Sequence, residues 1–268
     1  MENIMFRTIL SSDASLEYYP LNKMNNFKVQ LAETITADKY ECALVEIKFP
    51  NRFINIREGY NEVIIVELAD DVKPQQVLHR FKIPAGNYTS FKELYTAMMT
   101  VGRNIQFKQL PFTLRMSRIS KKIILTCPKP TTVIQFGGDV ATFLGFPIMT
   151  AGAWPGYSDL LKGRKTAKFQ TTTTGGVNSI YIYTDIIKEQ FVGGIKSPLL
   201  RIVNIPNMIN HEEEYISITY DKLYFSSLKS VQLDSINIQM YDREGHEIQF
   251  QRGVVTAILE FQPISNPI

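Results

Sequence analysis

The chain has little of what site chemistry usually needs. Its 268 residues contain two cysteines, three histidines and one tryptophan. Two cysteines, Cys42 and Cys127, make no disulfide framework, so a small secreted disulfide scaffold is excluded. Each sits in an apolar run and reads as a free, buried thiol. His79, His211 and His246 are widely separated and none falls in a metal-ligand spacing, so metal catalysis is not expected. GxSxG, Walker A and GxGxxG signatures are all missing. The Gly-Gly pairs beginning at 137, 175 and 193 lack a phosphate-loop context, and Gly137-Gly138 reads as a helix cap. Asp185 lies in an apolar strand and reads as a structural carboxylate paired with Arg201. No enzyme activity and no cofactor are therefore expected.

Two further absences narrow the class. No run approaches the roughly 18 apolar residues that span a bilayer, and residues 1–10 have no signal-type apolar core. The expectation is a soluble protein made in a reducing compartment. The net charge is only +3, without the basic stripe of a nucleic-acid binder. Lys162, Arg164, Lys165 and Lys168 form a candidate weak basic patch, which reads as a solvated loop. Nucleic acid is expected to bind weakly or not at all.

What is present is apolar and aromatic. Hydrophobic residues make up 44% of the chain, with 13 Tyr and 16 Phe, ample for a packed core. Most of it reads as strand. Phe27–Leu31 alternates apolar and polar residues. In Tyr40–Phe49 (YECALVEIKF), strict alternation puts Tyr40, Cys42, Leu44 and Glu46 on one face and Ala43, Val45 and Ile47 on the other. Val63–Leu68, Glu214–Tyr220, Val231–Tyr241, Ile248–Phe250 and Val254–Phe261 are further strands. In Tyr181–Val203, Tyr181 and Tyr183 alternate with Ile180 and Ile182, as in a strand covered on both faces. Gly193-Gly194 turns the chain there, and Pro198 sits at a strand start.

The middle of the chain differs. Ser90 and Glu93 form a capping box ahead of Phe91, Leu94, Tyr95, Met98 and Met99, one face of a helix that Gly102 is expected to stop. Thr113–Ser117 and Lys122–Thr126 read as a hairpin, and Gly138–Leu144 as a short helix closed by Gly145. This is a compact α+β unit within a β protein. Residues 148–178 read as a long loop carrying Trp154 and Tyr157. Trp154 reads either as an interface anchor or as a side chain folded onto its own domain. Residues 1–26 read as a polar, irregular arm whose Tyr18-Tyr19-Pro20 patch either packs on its own domain or docks on a neighbour.

Four regions carry a family resemblance. The stretch YIYTDIIKEQFVGGIKSPLLRIV, from Tyr181 to Val203, resembles a segment of the penton-type minor capsid proteins of the polinton (Maverick), adintovirus and virophage-like group. Phe27–Leu31 leading to Tyr40–Pro50 is similar to that family's first strand pair, where an ALxEIxxP pattern follows a strand. Ile83-Pro-Ala-Gly-Asn-Tyr-Thr89 ahead of a helix, and a short helix ending Phe143-Leu-Gly-Phe146, resemble its inserted unit. Ile236–Gly245 with Phe250–Phe261 looks like its last strands. The likeness runs from about residue 27 to 261.

The resemblance implies a mainly β fold: a single antiparallel jelly roll, or β-sandwich, with an inserted α+β subdomain. The expected jelly-roll domain is residues 1–75 plus 165–268, with the N-terminal arm 1–26, and the expected insertion is 76–164. It implies a structural capsid protein that forms homopentamers at the five-fold vertices of an icosahedral, double-jelly-roll-type capsid, localised to the virion after synthesis in the host cytoplasm. Its partners would be itself, a major capsid protein and, through the insertion, a host receptor or glycan. Candidate interface residues are Tyr18, Tyr19, Trp154, Tyr157, Tyr181, Tyr183 and Arg201. The alternative is a carbohydrate- or receptor-binding β-sandwich module, with Trp154 and Tyr157 stacking on sugar rings.

Overall fold

The computed structural model describes residues 4–68, 76–105, 107, 109–150, 155–172, 177–205, 213–230 and 232–264. In chain order the first elements are β1 (Phe6–Ser11), β2 (Asn26–Thr36), β3 (Tyr40–Pro50), β4 (Glu62–Leu68), β5 (Gln76–Lys82) and α1 (Phe91–Asn104). Next come β6 (Thr113–Met116), β7 (Ile123–Thr126), β8 (Thr132–Phe136), α2 (Gly138–Leu144), β9 (Leu161–Lys162) and β10 (Arg164–Thr166). Then follow β11 (Ser179–Thr184), β12 (Gln190–Val192), β13 (Ile195–Ser197) and β14 (Leu199–Asn204). The last are β15 (Tyr215–Thr219), β16 (Ser226–Ser227), β17 (Gln232–Tyr241) and β18 (Thr256–Pro263). The protein is mainly β, and every strand pair is antiparallel.

The chain divides into two compact units, residues 1–53 with 177–268, and residues 54–176. These boundaries correct the expected ones at 75/76 and 164/165. The reason lies in β4, which pairs with β5 and β8 and so belongs with the second unit. In the same way β9 and β10, within the expected loop 148–178, pair with β8 and β7 of that unit.

The first unit holds two larger sheets, with strand orders β1-β18-β3-β15 and β14-β11-β17-β2, and the two-stranded sheet β12-β13; β16 also pairs with β3. The inner faces of the two larger sheets form one core. Ile180 and Ile182 of β11, Ile236 and Ile238 of β17, and Ala257, Leu259 and Phe261 of β18 are all fully buried. Each large apolar side chain removed from water in this way contributes about 2 kcal/mol. Strict alternation fails in β3. Ile258 lies opposite Glu46 and Leu259 opposite Leu44, so Val45 is an extra residue, a β-bulge. The bulge turns Cys42, Leu44, Ile47 and Phe49 all toward one core and releases Glu46 to accept a hydrogen bond from Ser217 Oγ at 2.8 Å. Strand β11 is covered on one face only. Tyr181 and Tyr183, on its other face, are half-buried.

The N-terminal segment is not an irregular arm. Residues Phe6–Ser11 pair in continuous register with Thr256–Phe261. Phe6 stacks on Phe261 with ring centroids 4.9 Å apart, and Arg7 Nε donates to the buried carboxylate of Glu260 at 2.7 Å. As an edge strand with only Leu10 fully buried, β1 carries too weak an alternation to be read from sequence.

The second unit holds the sheets β5-β4-β8-β9 and β10-β7-β6 and both helices. Leu94 and Met98 of α1 pack into one core with Val63, Ile65, Phe136 and Phe143. Ser90 Oγ accepts from Glu93 N at 3.2 Å, the expected cap; the Glu93 carboxylate returns to Thr89 N at 2.8 Å. The helix runs past Gly102 to Asn104. Gly102 serves packing instead: a Cβ there would lie 2.6 Å from Leu110 Cδ2. Gly145 closes α2 in the left-handed region, φ +79°.

Candidate interaction surface

Among the described residues, no group of three or more His, Cys, Asp or Glu side chains is gathered for a metal ion. His79 lies edge-on to Phe107 at 4.7 Å, and His246 Nδ1 lies 3.1 Å from Asp242; His211 is outside the described residues. Burial pushes the Cys42 thiol well up from the ordinary range and raises that of Cys127 against a hydrogen bond to Gly163, which disfavours the thiolate of both at neutral pH. Among the described residues, no helix is long and apolar enough to cross a membrane.

The surface of the first unit is more informative. At one lateral edge of the two sheets lie β14 and β15. Here Arg201 lays its guanidinium on two rings, 3.8 Å from the Tyr220 centroid and 4.5 Å from that of Tyr224. Both terminal nitrogens donate to Lys222 O at 3.3 Å. Burial raises the Tyr220 hydroxyl pKa against the opposing pull of the Arg201 charge, so the phenol stays neutral. The expected Arg201–Asp185 pair does not form. Asp185 sits in the turn after β11, where its carboxylate accepts from Asn237 N at 2.9 Å.

Arg201 lines an open groove of about 570 Å³ with Leu199, Ile202, Ile218, Tyr220 and Tyr224. Beside it the β12–β13 hairpin turns through Gly193 at φ +60°. That hairpin exposes Phe191 (80%) and Ile195 (66%). Sequence reading missed Phe191, Ile195, Tyr220 and Tyr224 as surface residues. Apolar side chains flanking Gly193-Gly194 were the available signal, but they look the same in a buried hairpin.

The opposite lateral edge is made by β1 and β2. Ile9 (66%), Tyr18 (63%) and Leu21 (89%) are exposed there. Tyr19 is held down instead: its hydroxyl donates to Gln30 Oε1 at 2.9 Å, and Lys28 Nζ lies 5.2 Å over its ring.

The remaining candidates are dispersed. Tyr183 meets Tyr241 edge-on at 5.7 Å, and Tyr181 pairs with Tyr241 across the strands. Tyr157 lies in the second unit and donates its hydroxyl to Glu62 at 2.7 Å. Burial, then the Glu62 bond and charge, push its pKa up. Trp154 lies outside the described residues. Lys162, Arg164, Lys165 and Lys168 are all exposed. Lys162 lies on β9 and the adjacent Arg164 and Lys165 on β10, strands of different sheets, and successive strand residues point to opposite faces. Lys168 lies over the Phe169 ring at 5.4 Å. The four do not form one aligned stripe.

No protein-family model matches the chain, and no curated protein matches it. Among solved structures it is similar to the selenomethionine-labelled mavirus penton protein, with a TM-score of 0.48 and 12% sequence identity, over 97% of this chain and 100% of that one.

Proposed function

We propose that the protein is a structural, non-enzymatic viral capsid protein of penton type, built on a single jelly roll and forming homopentamers at the five-fold vertices of an icosahedral shell. The strand order of the first unit carries this reading. Its eight principal strands, numbered by their order in the chain, run 1-8-3-6 in one sheet and 5-4-7-2 in the other. That is the order of a jelly roll, an architecture of viral capsid domains, lectins and cupins. Residues 54–176 leave between the third and fourth of these strands, which supports reading the second unit as an insertion. The sequence patterns shared with the penton group of polintons, adintoviruses and virophage-like elements select the capsid branch. One further observation agrees with it. A ring-former exposes apolar surface on more than one side, and this unit does so at both lateral edges.

A major capsid protein is the proposed second partner, the virion the proposed location, and the insertion the proposed outward-facing part. The test is the solution mass by light scattering across a concentration range. A species near five times 30.7 kDa is expected. A carbohydrate-binding module would instead be positive on a glycan array.

A further inference from the structure

We propose that the two lateral edges of the jelly roll are the two halves of a head-to-tail contact between copies of this chain, in which Arg201 of one copy pairs with Glu17 of the next. The proposal rests on the capsid reading above and names the surfaces that reading requires. A closed ring needs a heterologous interface, two different patches on well-separated sides of each subunit. The sheet orders place such patches. Strands β14 and β15 end their sheets on one side and share the groove; β1 and β2 end them on the other, and the connection between them is held to β2 by the Gln30 N–Ser15 Oγ hydrogen bond at 3.1 Å.

The two patches differ in character. One is the groove lined by Leu199, Ile202 and Ile218, with the exposed Phe191–Ile195 hairpin beside it. The other is the β1–β2 connection, which exposes Leu16, Tyr18 and Leu21. Edge strands of monomeric proteins are normally blunted with charge, whereas these edges expose large apolar side chains. Arg201 has aromatic rings and one carbonyl as neighbours, and among the described residues no carboxylate lies within ion-pair distance of it. A guanidinium seated on two rings keeps its charge and its remaining N–H groups for a carboxylate. Glu17 is exposed between Leu16 and Tyr18 of the second patch and has no cation partner among the described residues. The nearby Asp13 is already engaged by Ser11 Oγ.

Charge reversal tests the pairing on the full chain by sedimentation velocity. Arg201→Glu and Glu17→Arg alone should each move the assembly midpoint about a hundredfold to higher concentration, because like charges then face each other. The double variant should recover to within about tenfold of wild type. Arg201→Glu also loses its ring stacking, so Glu17→Arg, which alters only an exposed side chain, gives the same reading if that variant is unstable. Single variants that assemble like wild type would overturn this pairing and leave the capsid reading standing. A wild-type chain that stays monomeric throughout would overturn both.

Discussion

Replacing Gly145 by alanine should destabilise the second unit far more than the same change at Gly59. Both glycines have positive φ, +79° and +86°. Forcing an L-residue there costs about 1 kcal/mol in either case. Their surroundings differ. At Gly59 a Cβ would meet nothing within 4 Å, whereas at Gly145 it would run into Phe169 O, with Gln170 O at 2.9 Å. Backbone atoms cannot rotate away, so the 165–172 segment must shift. That motion strains the Phe169 N–H bond to Gly145 O, now 3.0 Å, worth about 1 kcal/mol. Overpacking adds about 1–3 kcal/mol. The expected losses are therefore about 3–5 kcal/mol for Gly145→Ala and about 1 kcal/mol for Gly59→Ala. Native-state hydrogen exchange at the α2 amides reads this unit directly, whatever the other unit does. Equal losses within about 0.5 kcal/mol would refute the close approach as the reason for glycine at 145.

Two other perturbations are equally definite. Asp139 accepts from Arg57 N, Nε and Nη2 at 2.7–2.9 Å and is nearly buried, so Asp139→Ala should cost about 3 kcal/mol in urea unfolding by removing that ion pair and its three hydrogen bonds. The Cys42 thiol is pushed up by burial from an ordinary 9.0, so the unfolded chain ionises first. Stability from this group is intact below pH 9 and falls as pH rises beyond it; Cys42→Val should flatten that fall in pH-dependent melts, and native Cys42 should resist thiol reagents at pH 8.

The elements that were legible in the chain share one property: their partners are close in sequence or their pattern is regular. The α2 stop at Gly145, the Ser90 cap and the hairpin through Gly193-Gly194 depend on backbone conformation that a few neighbouring residues dictate. Strand β11 buries every second residue, as do β17 from Ile236 to Met240 and β18 from Ala257 to Leu259, and that alternation is visible directly. Strands β9 and β10 were hidden because their residues are mostly charged and exposed, and only pairing with β8 and β7 makes them strands. The β3 bulge was hidden for a related reason. A period of two cannot announce where it will slip, since the slip is set by the partner β18.

Residue order thus specified a β-rich chain with a helical middle, because these follow from composition, period and local turn chemistry. Folding over long separations settled the rest. It placed Arg201 against Tyr220 and Tyr224 instead of Asp185, joined Phe6–Ser11 to Thr256–Phe261, and put two apolar edges on opposite sides of one sandwich. Each of these depends on strands far apart in the chain becoming neighbours, and non-local pairing leaves little mark on the local pattern of either strand.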